Sequence, residues 1–259
     1  MADLIYPEAM ARIDACLRRQ LQTTGRGSPL EAALTDAVLG PGKRLRPLLT
    51  LGAYRYTAGK DITDGLLAVA CASELLHAAS LIYDDLPCMD DAVTRRGTPA
   101  LHIAHGEATA LLTAIGLQNM AYEWVAAAKD LPVDVRMSIT HLFAQTVGVQ
   151  GLAAGQYYDL NGSPAETRHL KTGILFCAAA TAGALCAGAD EASRNQIALY
   201  ADRLGTAFQL LDDLEDHDAP EDEAKLKAEM QRLLAEATAA LDPARAAPLK
   251  DYIALVFKS

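Results

Sequence analysis

Four aspartates and two arginines crowd into one short stretch, SLIYDDLPCMDDAVTRRG at residues 80–97. Asp84 and Asp85 end an apolar helix, and the proline that follows places Asp90 and Asp91 on an extra turn at its end. The carboxylates repel one another, and the negative end of the helix dipole adds to the cost. A divalent cation reverses both effects, and Mg²⁺ prefers oxygen ligands and bridges carboxylates to phosphates. The stretch predicts a magnesium site, with a solvated acidic loop as the alternative.

A second acidic patch follows another apolar helix, in FQLLDDLEDHD at residues 208–218. Asp212 and Asp216 lie four residues apart and therefore share one face of a helix, with Asp213 beside them. Two helices that each end in an aspartate patch could face one another across a cavity, as in other metal sites built from helix bundles. The presence of both patches favours metal binding over an idle surface.

Cations suited to phosphate accompany the acidic patches. Arg95 and Arg96 follow the first patch directly, and GKRLRP at residues 42–47 opens a helix. The N-terminal amides of that helix would add donors, and guanidinium groups match phosphate oxygens. The candidate groups are Lys43, Arg44, Arg46, His77 and Lys171, with Gln156 and Asp159 from GQYYDL. The alternatives are a structural histidine, a lysine that extends along an apolar surface, and ordinary polar groups at a helix end.

Composition limits the fold. Apolar residues make up 51% of the 259 residues and aromatic residues only 5%, and most apolar residues are Ala and Leu, which favours packed helices. Periodicity predicts no strands, and it predicts helices over residues 6–23, 29–39, 44–58, 63–86, 106–129, 133–154, 166–188, 190–216, 221–239 and 243–257. We expect one all-α domain over residues 1–259, a helical bundle with a central cavity.

Charge and cysteine content limit partners and location. The net charge of -10 argues against a nucleic-acid surface, which needs a basic stripe. The five cysteines form no CxxC pair, which is typical of reduced thiols in a cytosol. The N-terminus lacks the pattern of a signal peptide, and no uninterrupted apolar run reaches about 18 residues. We therefore expect a cytoplasmic protein with no membrane span.

Taken together, the motifs resemble those of trans-isoprenyl diphosphate synthases, the polyprenyl synthetase family of farnesyl and geranylgeranyl diphosphate synthases. The resemblance covers most of the chain and consists of DDxxxxD followed by RRG, then KTG, then FQxxDDxxD, in the order of the family. HAASLIYDDLPCMDDAVTRRGTPALH and KTGILFCA are similar to bacterial geranylgeranyl diphosphate synthases. The family implies a homodimer in which each active site lies inside its own helical bundle.

The resemblance implies a reaction and assigns roles to residues. An allylic diphosphate ionises with the help of about three Mg²⁺ per site, C4 of isopentenyl diphosphate attacks C1 of the cation, and a proton is lost. The metal ligands would be Asp84, Asp85, Asp90, Asp212, Asp213 and Asp216, with Asp91 in support. The allylic diphosphate would also meet Arg95, Lys171, Thr172 and Gln209, and the diphosphate of isopentenyl diphosphate would meet Lys43, Arg46, His77 and Arg96.

Product length can be argued from the same helix. Ala79 and Ser80 lie about one turn, or about 5.4 Å, behind Asp84, and Ala78 lies beside them. No bulky aromatic residue closes a tunnel at this depth. We therefore expect a product longer than C10, with C20 first and C15 second.

The match to the family fails after the second aspartate motif. Family members usually carry a loop there with two Gly-Lys elements that closes over the allylic diphosphate, whereas here DDLEDHD runs into APEDEAKLKAEMQRLL, which predicts the next helix. Lys225 and Lys227 are not assigned to that role, and the loop at residues 159–165 is also short. The site could be more open, or the chain could be a non-catalytic or weakly active partner subunit of a full-length synthase.

A class I terpene cyclase is a further alternative, since it shares the aspartate-rich magnesium chemistry. Its single substrate needs no second diphosphate site. Lys43, Arg46 and Arg96 therefore argue against a cyclase.

Overall fold

The computed structural model describes residues 5–58, 61–162, 169–215 and 223–257. Over these residues the regular elements are helices, joined by turns and loops, apart from one very short hairpin, as the all-α prediction expects. The helices before the hairpin are α1 (Ile5–Thr24), α2 (Glu31–Leu39), α3 (Leu45–Ala58) and α4 (Asp64–Asp85). Those after it are α5 (Leu101–His105), α6 (Glu107–Ala127), α7 (Val133–Val147), α8 (Leu152–Leu160), α9 (Ile174–Cys186), α10 (Glu191–Glu215), α11 (Glu223–Ala239) and α12 (Ala247–Val256).

Contacts divide the chain into two compact units. Unit 1 comprises Met1–Pro47 and Thr63–Thr140, and unit 2 comprises Leu48–Ile62 and His141–Ser259. The chain passes from one unit to the other within α3, just before α4, and within α7. The first acidic patch belongs to unit 1 and the second to unit 2.

Unit 1 is built around α4, which packs most extensively along α6. The hydroxyl of Thr63 accepts a hydrogen bond from the amide of Leu66 at 3.2 Å, and Asp130 accepts one from the amide of Gly65 at 2.9 Å. These bonds satisfy amide donors that the first turn leaves exposed. Among the described helices, α4 has the length and hydropathy of a membrane span, but 83% of that window is buried inside the protein. This burial identifies α4 as a core helix.

Unit 2 packs α10 against α9 and α11. Small residues permit the closest approaches: a Cβ at Gly183 would lie 2.1 Å from the carbonyl oxygen of Thr50. The hydroxyl of Thr50 also donates a hydrogen bond to the carbonyl of Ala179, at 3.0 Å. The rings of Phe176 and Phe208 pack against each other with centroids 5.2 Å apart and planes tilted by 45°. The Phe176–Phe208 contact joins α9 to α10, the helix that carries the second acidic patch.

The observed elements differ from the predicted ones in several places, and the short helix α5 was not predicted. Residues Thr94–Arg95 (β1) and Thr98–Pro99 (β2) pair as an antiparallel hairpin, where we expected no strand. The helix expected over 133–154 is interrupted between α7 and α8. The helix expected over 166–188 begins, within the described residues, with a π-helical turn at His169–Gly173 that precedes α9.

Candidate active site

The first acidic patch is an extra turn fastened to the end of α4, as the sequence predicts. The amide of Asp90 donates to the carbonyl of Asp84 at 2.9 Å, and the amide of Ala92 donates to the carbonyl of Asp85 at 3.2 Å. Asp84 is half-buried, while Asp90 and Asp91 are exposed. These backbone bonds therefore keep Asp90 next to Asp84 at the C-terminal end of α4.

Asp85 differs from the other aspartates of the patch because it is buried. The Arg95 guanidinium donates from Nε to both carboxylate oxygens, at 2.9 and 3.2 Å, and from Nη2 to Oδ1. This pairing raises the pKa of Arg95. The structure thus pairs Arg95 with Asp85. The sequence predicted that Arg95 would meet the allylic diphosphate and that Asp85 would support a metal.

The donor chemistry of the first patch fits Mg²⁺. Asp84 and Asp90, which are linked by a backbone hydrogen bond, both supply carboxylate oxygens. Mg²⁺ is typically held by one or two carboxylates together with water and substrate phosphates. Within the described part of the chain, no group of three or more His, Cys, Asp or Glu side chains is arranged to hold a metal by itself. Water or the phosphate oxygens of a substrate would complete the coordination of Mg²⁺ at such a site.

A basic cluster also lies in unit 1. Arg96 donates from Nη2 to Nε2 of His77 at 3.3 Å and from Nη1 to the carbonyl of Pro41 at 3.1 Å. Lys43 is exposed, and Arg46 is buried at 8% exposure. Because Arg96 donates to Nε2, the imidazole proton lies on Nδ1.

The His77 imidazole is neutral in this cluster. Burial lowers its pKa well below the usual value, and the charges of Arg46 and Arg96 lower it further, with smaller contributions from Arg95 and Arg44. A neutral imidazole accepts one hydrogen bond and donates another, so it can orient a neighbouring guanidinium as well as a ligand.

Left-handed backbone marks the loops of this site. Among the described residues other than glycine, positive φ angles occur at Arg44 (49°), Asp91 (49°) and Arg96 (53°). Each of these residues adjoins a predicted ligand contact: Lys43, Asp90 or Arg95. Strained backbone of this kind clusters at functional sites. Sequence reasoning missed this feature, because arginine rarely adopts positive φ and a single aspartate, although it adopts positive φ more readily, does not by itself indicate it.

In unit 2, the π-helical turn His169–Gly173 carries Lys171. Its Nζ lies 2.6 Å from Oδ2 of Asp159 on α8. A Cβ at Gly155 would lie 2.9 Å from the Lys171 amide nitrogen, so glycine allows α8 to meet this turn. The structure therefore pairs Lys171 with Asp159. From the sequence, Asp159 could be either a functional group or an ordinary polar group at a helix end.

Two glutamines of unit 2 present buried amide atoms that make no hydrogen bond within the described chain. These atoms are Oε1 and Nε2 of Gln156 and Oε1 of Gln209. Buried amides are normally paired, so such atoms are suited to a polar ligand or water. Asp212 lies half-buried on α10, three residues beyond Gln209. The side chains of Thr172 and Asp213, and all of Asp216, lie outside the described residues.

A cavity of about 570 Å³ lies in unit 1, behind the hairpin. Ala78, Leu81 and Ile82 of α4 line it together with Arg95 and Arg96, while residues of α2 and α5 complete the wall. Sequence reasoning did not foresee this cavity, because two of the elements around it, α5 and the hairpin, were not predicted.

A family model described as polyprenyl synthetase matches residues 28–230. The chain belongs to the polyprenyl synthetase family. Among polyprenyl synthetases, a geranylgeranyl diphosphate synthase of Pseudescherichia vulneris is 42% identical over 217 residues, which cover 81% of this chain and 70% of that protein. A farnesyl diphosphate synthase of Geobacillus stearothermophilus is 36% identical over 225 residues, covering 83% of this chain and 75% of that protein.

Solved structures of polyprenyl synthetase type share the fold. The crystal structure of a geranyltransferase from Legionella pneumophila has a TM-score of 0.89 and 30% identity, covering 100% of this chain and 97% of that chain. The apo crystal structure of an FPP/GFPP synthase from Zymomonas mobilis has a TM-score of 0.88 and 29% identity, covering 100% of both chains. The resemblance inferred from the motifs and the all-α fold are both confirmed.

Proposed function

We propose that this chain is a prenyltransferase that condenses isopentenyl diphosphate with an allylic diphosphate to an all-trans prenyl diphosphate, C20 in preference to C15. The relatives described above are named as synthases of these products. One observation carries the proposal within unit 1: the adjacent residues Arg95 and Arg96 join an acidic turn to a basic cluster. Arg95 binds Asp85, and Arg96 binds His77.

The acidic turn holds the leaving group. Asp84 and Asp90 would hold Mg²⁺, which when bound neutralises charge on the departing diphosphate. Asp85 remains paired with Arg95 and so keeps a positive charge beside the turn. In unit 2, Asp212, with Asp213 and Asp216, is proposed to bind Mg²⁺ in the same way, and Lys171 to meet the allylic diphosphate.

The basic cluster binds the second substrate. Lys43, Arg46 and Arg96 would contact the diphosphate of isopentenyl diphosphate, and neutral His77 orients Arg96 through Nε2. The C1–O bond of the allylic diphosphate breaks and the diphosphate leaves, C4 of isopentenyl diphosphate attacks C1 of the resulting cation, and a proton is then lost. A cyclase has a single diphosphate substrate and no use for this cluster.

We also propose that the protein is a homodimer that associates through α6. Leu111, Leu112 and Ile115 lie on this helix at 43%, 53% and 44% exposure. Apolar side chains grouped at helical spacing on a surface are typical of an interface. Leu112→Glu is expected to shift the sedimentation coefficient from that of a dimer to that of a monomer, and an unchanged monomeric value in both proteins would contradict the proposal.

The comparisons do not favour a non-catalytic partner subunit. The test uses the isolated protein with Mg²⁺, isopentenyl diphosphate and labelled C5, C10 and C15 allylic starters. Turnover to a C20 or C15 product by the chain alone supports the synthase. Turnover that requires an added full-length synthase would support the partner subunit instead, and a cyclic hydrocarbon formed from one prenyl diphosphate would support the cyclase.

A further inference from the structure

Arg44 lies between two predicted ligand contacts, Lys43 and Arg46, yet its own side chain is buried. Nε donates to Oδ1 of Asp14 on α1 at 3.1 Å, and Nη1 donates to Oε1 of Glu74 on α4 at 3.2 Å. Nη2 donates to the carbonyl of Gly40 at 3.1 Å. Each nitrogen of the guanidinium is thus engaged within the protein.

We propose that Arg44 is a positioning residue for the second diphosphate site, an inference that rests on the proposed function. Its fork ties the loop before α3 to α1 and to α4. Glu74 lies one turn before His77 on α4, so the Arg44–Glu74 pair fixes the loop against the same stretch of helix that carries His77. Lys43 on the loop and Arg46 in the first turn of α3 are thereby positioned relative to His77.

The loop is clamped from two sides. Arg44 binds the carbonyl of Gly40, and Arg96 binds the carbonyl of Pro41. Gly42 lies between the two guanidinium groups: a Cβ there would lie 2.8 Å from Nη1 of Arg44 and 2.9 Å from Nη1 of Arg96. The two arginines therefore hold the backbone that leads into Lys43, and a Cβ at Gly42 would displace their guanidinium groups.

The backbone conformation of Arg44 is one that glycine adopts more readily than arginine does. Its φ of 49° is a left-handed conformation that glycine adopts freely and arginine rarely adopts. A glycine would satisfy the backbone at this position. Arginine instead supplies the planar fork, which serves three acceptors at once, whereas a lysine would supply a single point charge.

The test compares Arg44→Gly, Arg44→Lys and the wild type in steady-state assays with each substrate varied in turn. Arg44→Gly keeps the left-handed turn but removes the fork. We expect KM for isopentenyl diphosphate to rise about tenfold or more, as for other groups that orient a ligand contact. KM for the allylic diphosphate should change by less than about twofold, and Arg44→Lys should fall between Arg44→Gly and the wild type.

Glu74 supplies a second pair of variants with a conservative rescue. Glu74→Gln keeps an oxygen that accepts from Nη1 of Arg44, so KM for isopentenyl diphosphate should stay near the wild-type value. Glu74→Leu removes the acceptor and should raise that KM as Arg44→Gly does. Arg203→Gln is the matched control, because Arg203 forms ion pairs with Asp202 and Glu236 away from these residues; its KM values should not change.

Equal increases in both KM values would overturn the proposal, as would a lower melting temperature with no change in either KM. If the wild type is inactive, the proposed function fails, and the positioning role is then read from calorimetry with inorganic pyrophosphate. A Kd about tenfold weaker for Arg44→Gly and Glu74→Leu, but not for Glu74→Gln, supports the role. Equal Kd values in all of these proteins contradict it.

Discussion

Arg95 donates hydrogen bonds from Nε and Nη2 to the buried carboxylate of Asp85. The neighbouring Asp84 is only half-buried. The two adjacent aspartates therefore do different work. Asp85 anchors the first residue of the hairpin's Arg-Arg pair, while Asp84 is the residue proposed to bind the metal. This anchor also fixes the backbone from which Arg96 reaches His77.

Asp85→Asn should lower the free energy of unfolding by about 1–2 kcal/mol. A fully buried pair that loses one partner costs about 3–5 kcal/mol, but the Arg95 side chain is 38% exposed, so solvent screens the interaction. Denaturant unfolding of the ligand-free protein measures the effect. Asp84→Asn is the matched control: it should change stability less, while turnover should fall about 10²–10³-fold through lost charge stabilisation. A larger loss of stability in Asp84→Asn than in Asp85→Asn, with turnover of Asp84→Asn unchanged, would contradict these separate roles.

His77 should make the ligand-free protein less stable in mild acid. The pKa of His77 is lowered well below about 6.5, the usual histidine value. Below that usual value the unfolded chain binds a proton at this imidazole that the folded chain refuses, so the free energy of unfolding falls as the pH falls. His77→Gln keeps an acceptor for Arg96 without a titrating group. The loss of melting temperature between pH 7.5 and 5.5 should be smaller in His77→Gln, and equal losses would contradict an imidazole that stays neutral in the folded protein.

Bulk at Ala79 should shorten the product. Ala79 is 2% exposed on α4, about one turn behind Asp84, and a tyrosine there would obstruct a growing chain at that depth. The expected change in Ala79→Tyr is from C20 toward C15, read by chromatography of the dephosphorylated products. Ala78→Phe is the control, because Ala78 faces the 570 Å³ cavity behind the hairpin and a larger side chain has room there. The same length from wild type and Ala79→Tyr would place the floor of the tunnel elsewhere.

Helix periodicity predicted most of the fold because long amphipathic and apolar segments carry a strong signal. It missed the hairpin, since strands of two residues have no measurable alternation. It also joined α7 to α8, although Gly148 and Gly151 between them could have indicated the break. The π-helical turn around Lys171 gave no sequence signal, because it depends on how α8 packs at Gly155.

The candidate site, like the fold, could be predicted from the sequence only in part. Residue types and spacing identified the acidic turn and the basic cluster, because their chemistry is unusual for a helix end. The ion-pair partners could not be predicted: Asp85 with Arg95 and Asp159 with Lys171 depend on side-chain directions that spacing along the chain does not specify. The roles assigned to Asp84, Asp90 and Asp212 in metal binding remain predictions. The lysine-bearing loop that the family usually has after the second aspartate motif would fall at residues outside the described chain.

Metal-dependent turnover tests the central claim most directly. The purified protein is assayed with isopentenyl diphosphate and labelled C5, C10 and C15 starters across a Mg²⁺ titration, beside Asp84→Ala and Asp212→Ala. The account predicts that the wild type makes a C20 or C15 prenyl diphosphate only when Mg²⁺ is present and that both variants lose turnover while remaining folded. Undiminished condensation by the two variants, or by the wild type in the presence of a chelator, would contradict it.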